Sequence, residues 1–289
     1  MKIKILIPVY NDWQSVSKLI DEIDKLLVSP EFHISIIIIN DASNHDRLNE
    51  NKELKNINSY KIINMRNNHG HARCIAAGLK YIYEKEDFDY VIPMDGDGED
   101  RPEEIIEFIN NINNSNGQPI VGERIKRSEG LFFTICYNIH KLITLTFTGK
   151  SIKFGNFTCL PKTTVKKMIE EKATWNSFSG SLSKLEKSLF KQPSLRGPRY
   201  FGPSKMSFFK LLKHSFSIIS VFRKAVLIRS ALFIILYILF IKNNASIITS
   251  IPLIFLFAMI YSISSLALRE NIEEYKNCLS QIKDIENVK

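Results

Sequence analysis

A chain of 289 residues is long enough for one large domain, or for one medium domain with an appendage, around a sizeable buried core. Its formal net charge of +9 is compatible with nucleic acid, an anionic membrane surface or phosphorylated small molecules as partners. Many basic residues lie between Lys184 and Arg229, directly before the most apolar stretch. This distribution favours lipid headgroups, and no nucleic-acid-binding module is recognised, so no nucleic-acid partner is predicted.

The N-terminal part contains an alternation of short apolar runs and helical patterns. This βαβ rhythm predicts an α/β domain with a mainly parallel sheet and helices on both faces. In such sheets ligands bind beyond the carboxyl ends of the strands. The predicted strands are Ile3–Val9, Ile34–Asn40, Lys61–Met65, Tyr90–Met94 and Pro119–Val121, and the predicted helices between them are Ser15–Leu27, His71–Glu84 and Pro102–Asn111.

The N-terminus begins at once with a strand pattern and shows no charged region followed by an apolar one, so no cleavable signal is predicted. The cysteines show no metal-ligand spacing, and we expect them to be reduced thiols of the core. They are Cys74, Cys136, Cys159 and Cys278.

The chain is less regular from Arg124 to about Tyr200. A long helical run covers Leu131–Phe147, and a segment rich in Phe and Gly covers Phe154–Leu160. We expect this region to complete the same domain. Met206–Phe222 then has the apolar spacing and flanking lysines of an interfacial helix.

Two apolar runs near the C-terminus, Ala225–Ile241 and Ile247–Leu268, are close to the roughly 20 residues that a membrane span requires. Arg223 and Lys224 precede the first run and Arg269 follows the second, so the positive-inside rule places both outer ends in the cytosol. The alternative is a buried helical hairpin in a soluble core. The last twenty residues are predicted to form a charged, helical cytosolic tail.

The sharpest local signal is the acidic segment Met94–Asp100, which begins where an apolar strand stops. Asp95 and Asp97 are two positions apart, so on an extended segment both carboxylates can face one hard cation. Mg²⁺ or Mn²⁺ there would neutralise a diphosphate and stabilise it as a leaving group. The alternative is an acidic turn ahead of the helix that Pro102 starts.

Polar residues also follow the first two strands. The first ends Pro8-Val9-Tyr10-Asn11-Asp12, and the second ends Asn40-Asp41-Ala42-Ser43. Asp12 and Asp41 are candidate acceptors for hydrogen bonds from a base or ribose, although an acidic helix N-cap has the same appearance.

These motifs together resemble the family 2 glycosyltransferases of GT-A fold. Asn67–Arg73, followed by Ala76-Ala77-Gly78, resembles the family's Asn-x-Gly segment, and Pro102-Glu103-Glu104 resembles the segment after its DxD motif. The resemblance implies a Rossmann-like domain that transfers a sugar from a nucleotide-diphosphate donor with inversion at the anomeric carbon. It also implies donor contacts and a divalent-cation site. The implied donor-binding residues are Pro8, Tyr10, Asp12, Asp41 and Asp95, and the implied metal ligands are Asp95 and Asp97.

Within that family the chain is most similar to the dolichyl/polyprenyl-phosphate sugar synthase branch, whose members often carry two C-terminal membrane helices. Arg199–Met206 resembles the branch's Arg-x-x-Gly-x-Ser-Lys element, and Gly122-Glu123-Arg124 with Arg127 resembles its arginine-bearing loop. The resemblance implies that Arg124, Arg127, Arg199 and Lys205 bind phosphates or the acceptor headgroup.

The implied partners are a nucleotide-sugar donor, polyprenyl phosphate or another lipid-linked acceptor, and the lipid bilayer. The implied location is the inner cell membrane, with a multi-pass anchor and the catalytic domain facing the cytoplasm. The predicted regions are a GT-A domain (1–205), an amphipathic juxtamembrane helix (206–224), two transmembrane helices (225–268) and a cytosolic tail (269–289). The oligomeric state is left open, and a homo-oligomer is compatible with the sequence.

The chain departs from the branch at Glu99, where glutamine is usual, at Arg101, and in the segment Phe154–Phe157, which usually contains aspartate. Glu99 is a candidate metal ligand, sugar-hydroxyl contact or base. A phosphate acceptor is ionised near neutral pH and needs no base, whereas a hydroxyl acceptor needs one. For a hydroxyl acceptor, Glu99 or Asp100 would be the candidate base. Together with Asp97 of the metal site, these are the candidate catalytic residues.

Two other classes of protein compete with this interpretation. A nucleotidyltransferase also pairs an α/β sheet with metal-binding carboxylates, but it would need a glycine-rich phosphate loop after the first strand, where Pro8–Trp13 has none. A membrane-anchored binding protein that has lost its chemistry is the non-enzymatic alternative. The intact Asp95 and Asp97 argue against it.

Overall fold

The computed structural model describes residues 1–26, 32–45, 47, 53–126, 131–203 and 207–289. The strands and helices of the N-terminal half alternate as predicted, with boundaries that differ by a few residues. They are β1 Lys2–Val9, α1 Trp13–Leu26, β2 His33–Asn40, β3 Ser59–Met65, α2 His71–Lys85, β4 Tyr90–Pro93, α3 Glu103–Asn110 and β5 Ile120–Lys126.

The second half contains more regular structure than the sequence predicted. The Phe/Gly-rich segment forms a strand, and a further strand follows two helices. The elements are α4 Leu131–Thr148, β6 Phe154–Pro161, α5 Lys162–Glu170, a 3₁₀ turn Lys172–Trp175, α6 Phe178–Leu185, β7 Phe190–Leu195, α7 Phe208–Ser220, α8 Arg223–Ile241, α9 Ile247–Ala267, α10 Ile272–Lys276, a second 3₁₀ turn Cys278–Gln281 and β8 Ile282–Asn287.

All eight of these strands join one mixed, mostly parallel sheet in the order β7-β5-β6-β4-β1-β2-β3-β8. Strand β1 lies between β2 and β4 and is parallel to both, and β3 continues this parallel group. Strands β6 and β8 run antiparallel to their neighbours. The predicted α/β fold with a mainly parallel sheet is therefore confirmed.

The sheet is buried on both faces, since residues 3–9 of β1 and 34–39 of β2 are buried and mostly apolar. Successive side chains point to opposite faces. Ile5 and Ile7 of β1 accordingly pack in the apolar cluster of α1 and α3, whereas Leu6 packs in the cluster of α2, α5 and α6. Fully burying each such side chain contributes about 1.5–3 kcal/mol. The two layers of helices hold the carboxyl ends of β1, β2 and β4 in a fixed arrangement.

Helices α8 and α9 form a hairpin whose side chains are mostly exposed. Phe240 is 83% exposed and Phe255 is 72% exposed. Both helices are long and apolar enough to cross a membrane by length and composition. The alternative of a hairpin buried in a soluble core does not fit this exposure. Ser246 caps α9 by accepting a hydrogen bond from the backbone N–H of Thr249.

The last twenty residues differ from the predicted helical tail. Only the five residues of α10 are α-helical, and β8 pairs antiparallel with β3, with Ile285 opposite Ile63. Tyr275 is buried and stacks on Trp175, with ring centroids 5.3 Å apart. The prediction of a helix was wrong because β8 is an edge strand that forms only by pairing with the distant strand β3. Its charged residues are exposed at that edge of the sheet. The boundaries of the four predicted regions stay a prediction.

The described cysteine side chains are free, buried thiols, as predicted. They are Cys74, Cys159 and Cys278. The side chain of Cys136 lies outside the described part of the chain.

Candidate active site

The loops after β1 and β2 are joined directly at the carboxyl edge of the sheet. The backbone N–H of Asp41 donates to the carbonyl of Val9 at 2.9 Å. Asn11 has a positive φ of 52°. Its Oδ1 accepts hydrogen bonds from the N–H groups of Asn44 and His45 at 2.8 and 3.1 Å. The predicted donor-binding segments therefore lie side by side.

The carboxylate of Asp41 is buried and holds the loop that leads into α2. It accepts hydrogen bonds from the backbone N–H groups of His69 at 2.7 Å and Gly70 at 2.9 Å. Asp41 is only 3% exposed. Its carboxylate is thus engaged in positioning the Asn-x-Gly segment, and the predicted contact with a nucleoside stays a prediction.

The other two residues predicted at the end of β1 differ in accessibility. Pro8 is buried within the strand, opposite Ile39. Tyr10 lies beyond the strand and is 44% exposed. Tyr10 is therefore available to a ligand, whereas the side chain of Pro8 is part of the core.

Asp95 lies near the start of the acidic segment and faces a histidine that was not among the predicted site residues. His71 Nε2 lies 2.8 Å from Oδ1 of Asp95. Burial alone raises the pKa of Asp95, but the charge and hydrogen bond of His71, followed by the charge of Arg124, bring that pKa below its ordinary value. For His71 the reverse holds, since burial lowers its pKa while Asp95 and the neighbouring carboxylates raise it by more.

Asp97 is bound by an arginine from the C-terminal side of the domain. Arg199 Nη1 donates to Oδ2 of Asp97, and its Nη2 donates to Oδ2 of Asp12 at 3.0 Å. Asp12 also accepts a hydrogen bond from Ser15 Oγ at 2.8 Å. Burial, followed by the negative charge of Asp95, raises the pKa of Asp97 although Arg199 lowers it. Arg199 thus connects the ends of β1 and β4.

The segment around Arg196 covers the acidic loop. Arg196 forms an ion pair with Glu99, and the N–H of Tyr200 donates to the carbonyl of Asp97 at 2.9 Å. Gly98 has a φ of 87°, and a Cβ there would lie 2.6 Å from the ring of Tyr200. A side chain at position 98 would therefore force the two segments apart.

Asp100 is a buried carboxyl group beneath this loop. It is 8% exposed, and its Oδ2 accepts a hydrogen bond from the backbone N–H of Asp95 at 2.9 Å. Burial, followed by the negative charge of Asp95, raises the pKa of Asp100 to about 8. Asp100 is therefore able to hold a proton near neutral pH.

Arg124 lies on the other side of the acidic centre, at β5. Its positive charge lowers the pKa of both Asp95 and Asp100. Its guanidinium lies against Gly155 of β6, where a Cβ would be 3.2 Å from Nη2. The structure thus brings together the predicted residues Asp12, Asp95, Asp97, Glu99, Asp100, Arg124 and Arg199. Arg127 and Lys205 lie outside the described residues.

The carboxylates of Asp95 and Asp97 are chemically suited to bind a divalent cation. Both are oxygen ligands of the kind that Mg²⁺ and Mn²⁺ bind. Burial and the charge of Asp95 raise the pKa of Asp97 even with Arg199 beside it, so a further positive charge would favour its ionised form. Across the described ranges no group of three or more His, Cys, Asp or Glu side chains forms a metal cluster. A cation would therefore compete with Arg199 for Asp97.

Three residues of this centre were not predicted as site residues, namely His71, Arg196 and Tyr200. His71 is the first residue of α2 and follows Gly70 of the Asn-x-Gly segment. A histidine at the start of a helix that follows a parallel strand was the available signal. Arg196 and Tyr200 flank the predicted Arg199 but reach the acidic loop only through the tertiary fold.

Comparisons with known proteins agree with this architecture. The chain is 26% identical over 234 residues to undecaprenyl-phosphate 4-deoxy-4-formamido-L-arabinose transferase of Proteus mirabilis, covering 76% of this chain and 67% of that protein. A Klebsiella pneumoniae protein of the same name is 25% identical over 228 residues, with the same coverage.

Two solved structures share the GT-A fold at low sequence identity. S. aureus TarS 1–349 superposes with a TM-score of 0.54 at 10% identity, covering 96% of this chain and 87% of that one. Glucosyl-3-phosphoglycerate synthase of Mycobacterium tuberculosis, crystallised with Mn²⁺, UDP-glucose and phosphoglyceric acid, gives 0.56 at 13% identity and covers 78% of this chain and 79% of that one.

The family model described as "Glycosyl transferase family 2" matches residues 4–166, more than half of the chain and the whole acidic centre up to Arg124. With its sheet, its strand-end carboxylates and this match, the chain belongs to glycosyl transferase family 2.

Proposed function

We propose that this protein is an inverting glycosyltransferase that moves a sugar from a nucleotide-diphosphate sugar to a polyprenyl phosphate at a membrane surface. The observation that carries the proposal is the acidic centre of Asp95 and Asp97, with Arg124 and Arg199 beside it, in a chain that ends in an exposed apolar hairpin. The names of the undecaprenyl-phosphate transferases to which the chain is similar support the acceptor class.

The donor nucleoside would bind where the loops after β1 and β2 meet. Tyr10 is exposed there, and Asp12 turns a carboxylate toward the same edge. Asp41 would act through the loop that it holds, because its own oxygens already accept two backbone N–H groups. The structural neighbours were crystallised with UDP-GlcNAc and with UDP-glucose, which supports a nucleotide-sugar donor.

Asp95 and Asp97 would hold Mg²⁺ or Mn²⁺ with the donor diphosphate. When bound, the cation would neutralise the charge that develops on the leaving diphosphate. For Asp97 to bind it, the contact with Arg199 has to open, which frees a guanidinium fork for a phosphate. The Mn²⁺ in the crystal structure of the mycobacterial synthase supports this choice of ion.

In the proposed reaction, an oxygen of the acceptor phosphate attacks the anomeric carbon, and the bond from that carbon to the diphosphate oxygen breaks. The acceptor's second pKa is about 6, so the nucleophile is already ionised at neutral pH. Arg124 would orient it beside Asp95. No general base is needed, which agrees with Glu99 being held in an ion pair by Arg196.

A hydroxyl group of a lipid-linked saccharide is the second candidate acceptor. Asp100 is the observation that favours it, because a buried carboxyl group with a pKa of about 8 is typical of general acid–base sites. Asp100 is covered by the acidic loop, however, and its Oδ2 accepts the N–H of Asp95. The phosphate acceptor therefore requires less rearrangement.

We also propose that α8 and α9 span the inner membrane as a hairpin, with the catalytic domain in the cytoplasm. Both ends of the hairpin lie against that domain. Before α8, Asn176 Nδ2 donates to Ser220 Oγ at 2.9 Å, and after α9 the chain returns to pair with β3. The flanking arginines support the cytoplasmic orientation.

The test offers radiolabelled nucleotide sugars to the protein reconstituted in vesicles, with undecaprenyl phosphate, with a lipid-linked sugar or with no acceptor. The proposal expects label in undecaprenyl phosphate only when a divalent cation is present. Transfer to the lipid-linked sugar alone would reject the phosphate acceptor while preserving the glycosyltransferase assignment. Sugar transfer that continues after divalent cations are chelated would reject the proposed requirement for Mg²⁺ or Mn²⁺.

A further inference from the structure

Helix α4 has an apolar side that neither the sheet nor the proposed reaction uses. Among its described side chains, Ile139, Leu142 and Leu145 are 52%, 64% and 48% exposed. These positions recur every three residues and therefore lie along one side of the helix. Three large aliphatic side chains side by side in water would be an unfavourable arrangement, and such patches mark interaction surfaces.

An adjacent side of α4 packs against the hairpin of α8 and α9. Ile143 and Phe147 contact the small apolar cluster formed by Ile219 of α7, Val226 of α8 and Ile263 of α9. Helix α4 is thus one of four helices that share this cluster.

Arg229 fastens the end of α4 to α8. Its Nη1 donates to the carbonyl oxygens of Thr146 at 2.9 Å and Leu145 at 3.4 Å. These carbonyls belong to the last turn of α4, where the helix dipole favours a cation. Gly149 has a φ of 73°, and a Cβ there would lie 2.7 Å from Nη2 of Arg229. The guanidinium is therefore fitted closely against the end of α4.

The position of Arg229 in α8 sets the depth of α4. Arg229 lies six residues after Arg223, the first residue of α8, which corresponds to about 9 Å along the helix axis. The twelve residues after it, Ser230–Ile241, carry no charge. Charged residues within membrane helices usually pair with other charges or with backbone carbonyls. The carbonyls of α4 provide that pairing, so they lie at the same depth as Arg229.

We propose that α4 is a membrane-surface helix, clamped to α8 by Arg229, with Ile139, Leu142 and Leu145 against the lipid acyl chains at the bilayer interface. Amphipathic helices bind bilayers in this orientation. The inference rests on the proposed membrane location of the hairpin. Because α4 is the element that follows β5, it would also keep Arg124 beside the surface at which a lipid phosphate is presented.

The experiment places an environment-sensitive fluorophore on single cysteines in the full chain, in vesicles of phosphatidylcholine and phosphatidylglycerol. The four native cysteines are replaced by alanine; if that background unfolds, only Cys136 is replaced, because the other three thiols are buried. The test position is Leu142→Cys. Phe240→Cys reports the hairpin, and Asp87→Cys, in the exposed loop before β4, reports the aqueous side.

Lipids brominated near the top of the acyl chain should quench the label at position 142 more than lipids brominated near its end, and should leave position 87 unquenched. If position 240 is quenched and position 142 behaves like position 87, the surface role of α4 is rejected and the membrane hairpin stands. If position 240 is not quenched, the membrane proposal itself fails and this inference falls with it.

The contact of Arg229 with the end of α4 is tested by Arg229→Gln. Arg223→Gln is the control, because it removes one positive charge at the start of the same helix. Each variant is first checked for an unchanged thermal transition. Arg229→Gln should reduce quenching at position 142, whereas Arg223→Gln should not. Equal quenching in both variants would reject the clamp.

Discussion

Arg199 donates a hydrogen bond from Nη2 to Oδ2 of Asp12 at 3.0 Å, across 187 residues of sequence. The same guanidinium binds Asp97, so one side chain connects the segments that follow β1 and β4. Its position is fixed by Tyr200, whose N–H donates to the carbonyl of Asp97. Arg199 therefore offsets the negative charge of Asp12 and Asp97 in this structure. Under the proposed function, it would become free to bind phosphate once a cation bound Asp97.

The first prediction concerns Asp97→Asn. The variant should lose sugar transfer by roughly 10³-fold, because the proposed cation contributes several kcal/mol of charge stabilisation in the transition state. Its thermal transition should stay close to that of the parent protein, since burial and the charge of Asp95 disfavour the ionised form of Asp97 in the folded protein. Transfer and thermal melting are measured on the same preparations.

Asp87→Asn is the matched control, because Asp87 is an exposed carboxylate that binds Lys2 at the opposite edge of the sheet. It should transfer sugar like the parent protein. A folded Asp97→Asn variant with activity near that of the control would show that Asp97 is not a metal ligand.

The second prediction separates the two acceptor classes through Glu99→Gln. With an ionised phosphate as nucleophile, most of the transfer activity should remain, because no base is needed. If Glu99 were the base for a hydroxyl acceptor, the rate would fall by roughly 10² to 10⁴. Steady-state rates at saturating donor, measured separately with undecaprenyl phosphate and with a lipid-linked sugar as acceptor, decide between the two results.

The sequence predicted the sheet and the acidic centre because both depend on local patterns. Strands β1 and β2 are nearly continuous apolar runs, and Asp95 and Asp97 follow a third such run directly. In a parallel sheet those ends must meet at one edge. The position of Asp12, Asp95 and Asp97 at one edge could therefore be predicted, whereas the pairing of β4 with β1 that brings them close is a feature of the folded sheet.

Contacts formed by distant segments could not be predicted in this way. The residues of β8 are rich in charge and were predicted to be helical. They form a strand because they pair with the exposed edge of β3. The pairing of Glu99 with Arg196 depends on how the second half folds over the first. The use of Asp41 to hold Gly70 likewise depends on a loop 29 residues further along the chain.

The third prediction concerns a buried charge network away from the active site. Glu86 binds Lys4 at 3.0 Å and Lys61 at 2.6 Å, and its side chain is only 9% exposed. Burial alone raises the pKa of Glu86, but hydrogen bonds from Lys61 and Lys4 bring it below the ordinary value. Glu86→Gln should destabilise the protein by about 3–5 kcal/mol, because two lysines lose their buried partner.

The pH dependence follows from the direction of that shift. A carboxyl group with a lowered pKa in the folded state stabilises the protein above its unfolded pKa, and this contribution is lost as the pH falls through the folded value. The parent protein should therefore lose stability below about pH 4.3, and Glu86→Gln should lose less. Glu84→Gln, which breaks a more exposed pair with Lys80, should cost less than about 1 kcal/mol. Equal melting profiles for the two variants would contradict the prediction that the Glu86 network stabilises the protein more than the Glu84–Lys80 pair does.

The fourth prediction tests the topology of the hairpin. A single cysteine at Asn243, in the turn between α8 and α9, should react with a membrane-impermeant maleimide added outside intact cells. A single cysteine at Val288, beside β8, should react only after the inner membrane is opened. Protection of position 243 together with labelling of position 288 from outside would show the reverse orientation.

The fifth prediction concerns the segment that returns from the hairpin of α8 and α9 to the sheet. Tyr275 is 1% exposed, stacks on Trp175 and donates from its hydroxyl to the carbonyl of Ala76 in α2 at 3.3 Å. Tyr275→Ala should cost about 3–5 kcal/mol, the range for removing a large buried aromatic side chain. It should also lower transfer activity, because α2 carries His71 to Asp95.

Tyr261→Ala is the matched control, because Tyr261 lies in α9 and is 77% exposed. Thermal and denaturant unfolding in detergent should place this variant within about 0.5 kcal/mol of the parent protein, as for surface substitutions generally. If Tyr275→Ala were as stable as Tyr261→Ala, the last residues would not contribute packing to the catalytic domain. If it were destabilised, the chain after the membrane hairpin would be part of the catalytic domain, and the hairpin would be anchored to that domain at both ends.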